Sequence, residues 1–357
     1  MLSVFILIIA IGLILEAISL RRDPASLGFD YTISTGITEP GVPFSIHTIV
    51  TNKSRLPISY LAINEVFPLA TGLPEGMVYQ EKHDGLHSNN ICRVSGLQRK
   101  KLTLNVSIKK RGVHIFRVNS LSFGDFLGFR EIYKTITDYR EIVVFPDRLD
   151  IPSLSEALAD FCGDIAAKRY LIRDPILTAG YREYSGREPM KDIHWLQSAR
   201  RGELMVREYE YNRQLSVNVI LCVSGISPLD EKSLDDACAV TRTICEALLG
   251  KGIPLSFFTN ALLQHSGKRD IWNIEVAVGH ITGLLEGLGR VMNYSCSSVD
   301  NLLEFARRKN DTDAAFIVVF PKLETRDEDA VNQLRRVTGQ DVLVINTHLM
   351  SERFVTT

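Results

Sequence analysis

The sequence predicts a multidomain chain with an N-terminal transmembrane helix, an antiparallel β-sandwich and then an α/β doubly wound domain. Three observations support this: an apolar run at the start, a region of short alternating strands, and a region where strands alternate with helical patterns. At 357 residues, the chain is longer than one ordinary core requires. We place the boundaries at 1–22 for the anchor, 23–150 for the sandwich, 151–215 for a linker and 216–357 for the α/β domain.

Residues 2–20 are apolar except for two serines and Glu16, and Arg21 and Arg22 follow them. A helix of this length rises about 28 Å at about 1.5 Å per residue, close to the thickness of a bilayer core. A cleaved signal peptide is the alternative, but no Lys or Arg precedes the apolar run. The two arginines that follow favour a single-pass cell-membrane protein whose large domain is cytoplasmic.

The charge balance argues against a nucleic-acid-binding protein, and the cysteine content argues against a small disulfide-rich secreted domain. Lys and Arg total 41 against 42 for Asp and Glu, so the chain lacks the basic excess that nucleic-acid binding requires. The cysteines form neither a C-x-x-C pair nor a dense disulfide framework, which fits a reducing cytosol. They are Cys92, Cys162, Cys222, Cys238, Cys245 and Cys296.

Between residues 30 and 146, short runs of alternating apolar and polar residues are separated by turn residues. Examples are 44–50, 58–66, 101–108, 113–118 and 141–145. This alternation is typical of strands buried on one face, and its spacing predicts a sandwich of immunoglobulin-like type. Such a domain serves as a spacer or a binding module, and no catalytic group stands out within it.

From residue 216 onward, the strand candidates 217–222, 253–258, 314–320 and 341–345 alternate with helical patterns. The clearest helical pattern covers 229–249. This alternation predicts a parallel sheet with helices on both faces. Ligands of such sheets bind at the carboxyl ends of the strands.

The first of these strands ends at Cys222, and Ser224 and Ser227 follow before the helix. This spacing resembles the D-x-S-x-S motif of von Willebrand factor A-like domains, in which a carboxylate and two hydroxyls hold a divalent cation. Here the acidic position is Cys222, whose soft sulfur does not suit Mg²⁺ or Mn²⁺. We therefore expect a degenerate site with no bound metal.

A second acidic ligand of A-like domains follows a later strand. In this chain, that strand ends in Phe320 and Pro321, although Glu324 or Asp327 could reach in from the loop. The loss of two acidic positions strengthens the expectation that no metal and no other cofactor is bound.

Between the two halves, residues 181–210 resemble the signature of the bacterial "domain of unknown function 58" family, with its R-x-Y, G, I-x-W, S-A-R and G-x-L-x-V-R-E segments. The matching residues that we take as the signature are Arg182, Tyr184, Gly186, His194, Trp195, Arg200, Arg201, Arg207 and Glu208. The resemblance extends upstream to Lys110-Arg111-Gly112 and to residues 123–128. In the latter segment Phe126 stands where the family usually has proline.

The resemblance implies a membrane-anchored, non-enzymatic interaction or adaptor protein that carries an A-like domain. It also implies a partnership with MoxR-type AAA+ ATPases in protein assembly or remodelling. Two alternatives stay open: a hydrolase that uses Ser224 or His194, although no recognisable triad accompanies them, and a metal-dependent adhesion module.

Residues 181–211 hold six basic and six acidic side chains with five interleaved aromatic residues. One interpretation is a structural network in which arginines bind carboxylates and stack on rings, and the balanced charge count favours it. The other interpretation is a docking surface, because Arg, Trp and Tyr dominate binding hot spots.

Overall fold

The computed structural model describes residues 2–20, 26–124, 131–170, 178–186, 188–209, 216–223, 231–265, 267, 269–309, 314–339 and 342–348. The chain divides into two compact units. The first comprises Met1–Asp147, Leu263–Gly267 and Leu285–Val291. The second comprises Arg148–Leu262, Lys268–Leu284 and Met292–Thr357.

The N-terminal part of the chain consists of one helix followed by strands. Its elements are α1 (Leu2–Leu20), β1 (Leu27–Ile33), β2 (Ile37–Thr38), β3 (Phe44–Asn52), β4 (Ile58–Phe67), β5 (Thr71–Gly72), β6 (Tyr79–Lys82), β7 (Gly85–Val94), β8 (Arg99–Ile108), β9 (Gly112–Gly124) and β10 (Glu131–Val144).

These strands form two sheets, in the orders β1-β3-β8-β5 and β2-β10-β9-β4-β7-β6. Side chains from both sheets meet in one apolar core. Phe116 of β9 lies at its centre, with its ring 5.8 Å from Phe44 of β3 and 6.0 Å from Phe67 of β4. Strand β3 alternates strictly between buried and half-buried residues, as expected of a strand with one face on a core. The arrangement is a β-sandwich.

The rest of the chain mixes helices and strands. Its elements are α2 (Pro152–Tyr170), β11 (Thr178–Glu183), a 3₁₀ helix (Met190–Asp192), α3 (Trp195–Arg201), β12 (Met205–Tyr209), β13 (Val217–Leu221), α4 (Glu231–Gly250), β14 (Leu255–Thr259), β15 (Ala261–Leu263), β16 (Trp272–Val276), α5 (Thr282–Arg290), β17 (Val291–Ser295), α6 (Val299–Lys309), β18 (Ala315–Phe320), α7 (Thr325–Thr338) and β19 (Val342–Asn346).

A five-stranded sheet with the order β16-β14-β13-β18-β19 is the centre of the second unit. Its middle strand β13 is buried at every position. On one face, residues of α6 and α7, such as Leu302 and Val331, pack against Ile220 and Val318. A strand covered on both faces is an almost uninterrupted apolar run, which explains why β13 is conspicuous in the sequence.

The predicted fold class was wrong in its α/β part, because the sheet is mixed and not parallel. Strand β16 runs antiparallel to β14 at the edge. A parallel neighbour requires a long crossover, usually a helix, whereas antiparallel neighbours can be joined by a shorter connection. The connection from Thr259 to Trp272 contains β15 and no helix in its described residues, so the chain returns in the opposite direction.

The predicted membrane anchor was also wrong. Crossing a bilayer requires about 20 consecutive, mainly apolar residues in one helix. Within the described ranges, no helix meets both the length and the apolarity that a membrane span needs. The anchor at residues 1–22 and the single-pass membrane location with a cytoplasmic domain are therefore withdrawn.

Candidate functional site

The carboxyl edge of the five-stranded sheet carries Cys222, the first of the predicted metal-site positions. Its side chain is completely buried directly after β13, and its backbone N–H donates to the carbonyl oxygen of Val319 at 2.9 Å. Burial raises the pKa of the Cys222 thiol well above its ordinary value, and the carboxylate of Asp327 adds to this shift. The side chain is therefore a neutral thiol, unsuited to bind a hard cation or to act as a nucleophile.

Asn260 lies at the same edge, directly after β14, and is 1% exposed. Its Oδ1 accepts a hydrogen bond from the N–H of Val223 at 2.8 Å. Its Nδ2 donates to the carbonyl oxygens of Val223 and Ser297, both at 2.8 Å. Asn260 thus satisfies three backbone groups where two strand ends meet. Asn260 was not among the residues predicted from the sequence, although a polar residue directly after a buried apolar strand is a usable signal.

The two acidic residues expected to reach this edge serve the helix that follows it. Glu324 and Asp327 form a capping box at the start of α7, with the Glu324 N–H donating to Asp327 Oδ2 at 3.4 Å. Burial raises the pKa of Asp327, and the negative charge of Glu324 contributes. Across the described ranges, no group of three His, Cys, Asp or Glu side chains could hold a metal ion.

Ser224 and Ser227, the other two predicted positions, lie outside the described residues.

The signature segment folds into a small structure in which β11 pairs antiparallel with β12. Helix α3 lies between these strands in the sequence, and Ser198 is its one buried residue among those described. The Ser198 hydroxyl donates to the carbonyl oxygen of His194 at 3.0 Å and accepts from the N–H of Met205 at 2.8 Å. Gly202 ends the helix at φ 77°, a left-handed conformation that glycine adopts without strain. One serine therefore joins the helix to β12.

His194 caps the start of α3. Its Nδ1 accepts the N–H of Gln197 at 3.2 Å, and its ring lies 4.7 Å from the ring of Tyr181. Because Nδ1 accepts this hydrogen bond, the imidazole ring is held in the cap of α3. This geometry gives His194 a structural task.

Arg182 and Glu188 form an ion pair at 2.6 Å. The Ser185 hydroxyl also donates to Glu188, at 2.7 Å. The bond from Ser185, followed by the bond from Arg182, lowers the pKa of Glu188 to about 2. Gly186, at φ 84°, provides the turn that brings Ser185 and Glu188 together. Tyr184 is half-buried, and its N–H donates to the Leu204 carbonyl at 2.8 Å.

The same segment exposes large apolar side chains beside two arginines. Met190 is 69% exposed, Trp195 61% and Leu196 60%. Arg200 and Arg201 are exposed, and neither forms an ion pair with any residue that the structure describes. We define Met190, Trp195, Leu196, Arg200 and Arg201 as the signature surface.

Two further predicted positions are described only in part. Arg207 and Glu208 belong to β12, where they pair with Tyr181 and Gly180 of β11, and their side chains lie outside the described part of the structure.

The upstream motif Lys110-Arg111-Gly112 has a structural task within the first unit. Arg111 Nη1 donates to the carbonyl oxygens of Leu288 and Val291, at 2.8 and 3.0 Å. These carbonyls lie at the C-terminal end of α5, where a cation is favourable because the helix dipole is negative. Gly112 has φ 135°, which disfavours other residues. Of the second upstream motif, residues 125–128 lie outside the described residues.

No protein-family model matches the chain. No curated protein matches it either.

Solved structures similar to part of the chain include two cohesins and a CARDB domain. The cohesin module of a Clostridium perfringens family 33 glycoside hydrolase is 11% identical and covers 32% of this chain and 96% of its own, with a TM-score of 0.27. A non-cellulosomal cohesin from Archaeoglobus fulgidus is 12% identical and covers 33% and 91%, with a TM-score of 0.25. The CARDB domain of a Pyrococcus furiosus protein is 11% identical and covers 33% and 86%, with a TM-score of 0.23.

At these identities and TM-scores, the likenesses support no conclusion about the activity of this chain. The A-like assignment made from Cys222, Ser224 and Ser227 is overturned by the mixed sheet, in which β16 runs antiparallel to β14.

Proposed function

We propose that the chain is a non-enzymatic adaptor that binds a partner protein through the signature surface. The observation that carries the proposal is the exposure of Trp195, Leu196 and Met190 beside two arginines with no ion pair in the described structure. The resemblance of this segment to the "domain of unknown function 58" family makes a MoxR-type AAA+ ATPase the proposed partner.

Binding explains this surface better than folding does. Helix α3 buries Ser198 and leaves Trp195 and Leu196 in solvent, so these two side chains add little apolar burial to the folded state. Removing apolar area from water contributes about 25 cal/mol per Å². That free energy becomes available when a partner covers the side chains, and Trp and Arg are the residues most enriched in binding hot spots.

The alternative of a hydrolase receives less support from the polar side chains. His194 is occupied in the cap of α3, and Cys222 is a buried thiol with a raised pKa. A nucleophile and its base must lie within hydrogen-bonding distance of each other, and the described residues offer His194 no such partner through its ring.

The test is binding of the purified full chain to a MoxR-type ATPase of the same organism, measured by calorimetry with ATP present. We expect Trp195→Ala, and separately Arg200→Ala with Arg201→Ala, to raise the Kd at least about tenfold, equivalent to about 1.4 kcal/mol. The matched controls are Tyr294→Ala, which removes an aromatic ring that is 65% exposed on β17, and Arg307→Ala with Lys309→Ala on α6. These controls should bind like the unchanged chain.

Two results contradict the proposal. One is that the unchanged chain binds no MoxR-type ATPase. The other is that the control pair on α6 weakens binding as much as the pair at Arg200 and Arg201, because the contact would then reflect positive charge anywhere on the chain.

A further inference from the structure

In the sandwich, β9 is longer than the strand beside it. Strand β4 ends at Phe67, its last partner on β9 is Arg117, and Pro68 follows. Proline lacks the N–H that a ladder requires and commonly ends a strand. Residues 112–116 of β9 extend past this point and pair, within the described structure, with β10 alone.

Residues 112–116 of β9 form an overhang beyond the end of β4. On the side of the overhang away from β10, backbone groups of β9 have no neighbouring strand in the described structure. Val143 of β10 donates its N–H to the Gly36 carbonyl at 2.9 Å, and so faces β2 and not β9. Backbone groups of successive residues alternate between the two sides of a strand. In the register of β9 and β10, the residues whose backbone groups bond each other are therefore Ile142 with His114 and Val144 with Gly112. By the same alternation, Val113 and Ile115 direct their N–H and C=O groups toward the side where β4 has ended.

A groove of about 350 Å³ lies along this side. It is lined by Pro68, Asp84, Val113, His114, Ile115 and Arg117. Val113, His114 and Ile115 are half-buried, so the groove provides apolar contact as well as a backbone edge. We define these six residues as the β9 groove.

Basic side chains lie at both ends of the β9 groove. Arg117 is 44% exposed and contacts Asp84, with its Nη2 3.2 Å from the Asp84 carbonyl oxygen and 3.7 Å from the carboxylate. At the other end, Lys109 and Lys110 are exposed just before β9 begins. His114 bonds the Lys110 carbonyl through Nε2 at 2.8 Å, and burial lowers its pKa. The positive side chains of Lys109 before β9 and of Arg117 at the opposite end favour an acidic occupant.

We propose that the β9 groove binds an extended acidic segment of a partner protein, which adds as a strand beside Val113 and Ile115. Strand addition of this kind uses main-chain hydrogen bonds for affinity and side-chain pockets for specificity. The proposal is independent of the signature surface, because every residue of the β9 groove belongs to the first unit.

The probe is an acetylated, amidated hexapeptide of alternating glutamate and valine, titrated into the full chain by calorimetry. Residue-resolved amide exchange is measured in parallel. We expect binding together with slower exchange at Val113 and Ile115. A hexapeptide of alternating lysine and valine should bind at least about tenfold more weakly, because the groove ends are basic.

Ile115→Pro removes an N–H on the open side and leaves the pairing with β10 intact. It should weaken binding at least about tenfold, whereas Ile115→Thr, which keeps the N–H, should bind within about threefold of the unchanged chain. Arg117→Glu tests the charge without altering the backbone and should also weaken binding at least about tenfold. Its matched control is Arg93→Glu on β7, an exposed arginine in the same sandwich.

Three results overturn the proposal. The first is equal binding by Ile115→Pro and the unchanged chain, and the second is equal binding of the lysine and glutamate peptides. The third is a concentration-dependent dimer that is abolished by Ile115→Pro and unaffected by the acidic peptide, because the edge would then pair with a second copy of the chain.

Discussion

The carboxyl edge of the five-stranded sheet and the signature surface differ in how far their side chains are buried and hydrogen-bonded within the fold. At the sheet edge, Asn260 makes two buried hydrogen bonds and one part-buried one, and Cys222 is enclosed as a neutral thiol. At the signature surface, Trp195 and Leu196 remain in solvent beside Arg200. The polar groups of the edge are bonded within the fold, whereas the apolar side chains of the surface stay in solvent, where we propose that a partner covers them.

The comparison shows that conspicuous residues need not be functional ones. Cys222 drew attention because it ends a strand before two hydroxyls, yet its surroundings keep it from binding a cation or attacking a substrate. Trp195 belongs to the signature in the sequence, and its exposure in the structure makes it a candidate for partner contact.

The largest expected effect tests the structural role of the sheet edge. Asn260→Ala removes two buried hydrogen bonds to the backbone of Val223 and a part-buried one to the Ser297 carbonyl. Each buried backbone group left without a partner costs about 1–3 kcal/mol. We expect the free energy of unfolding to fall by about 3 kcal/mol, measured by urea denaturation of the full chain. Asn332→Ala on the exposed surface of α7 is the matched control and should change stability by less than about 0.5 kcal/mol. A similar small loss for Asn260→Ala would remove the contrast between the two regions.

A smaller effect tests the signature surface. Trp195→Ser should change the free energy of unfolding by less than about 0.5 kcal/mol, because a side chain that is 61% exposed adds little to the core. The same urea denaturation measures it. A loss above about 2 kcal/mol would instead place Trp195 in the folded core, which would favour the structural interpretation of the signature.

The smallest effect concerns acid sensitivity within the signature segment. The pKa of Glu188 is about 2 in the folded chain, against an ordinary value of 4.5. A lowered folded-state pKa contributes stability above pH 4.5 that is lost as the pH falls toward 2. Glu188→Gln should therefore flatten stability against pH across this window and be slightly less stable at neutral pH.

The matched variant for this prediction is Glu203→Gln. Glu203 is exposed and has no ion pair or hydrogen bond to a described residue, so its replacement should leave the pH profile unchanged. Identical profiles for both variants would show that the Arg182–Glu188 pair contributes nothing in solution.

The sequence identified many individual elements. The strand predictions at 44–50 and 101–108 fall within β3 and β8, and the helix predicted at 229–249 overlaps α4. The buried strand predicted at 217–222 corresponds to β13 followed by Cys222. These predictions depend on local periodicity, which the sequence carries directly.

Other features were decided only in three dimensions. Three of them depend on which segments become neighbours. They are the antiparallel direction of β16, the hydrogen bonds of Asn260 to the backbone of other loops, and the overhang of β9 beyond β4. The predicted membrane anchor was wrong, because none of the described helices is both long and apolar enough to span a membrane.

The sequence by itself thus determined the positions of several strands, the long helix α4 and the composition of the signature, whereas α2 lies in a segment that was predicted to be a linker. The tertiary structure alone decided which of its polar groups are buried and satisfied and which face solvent. The physical reason is that periodicity is a property of adjacent residues, whereas burial and backbone pairing are properties of segments that the fold brings together.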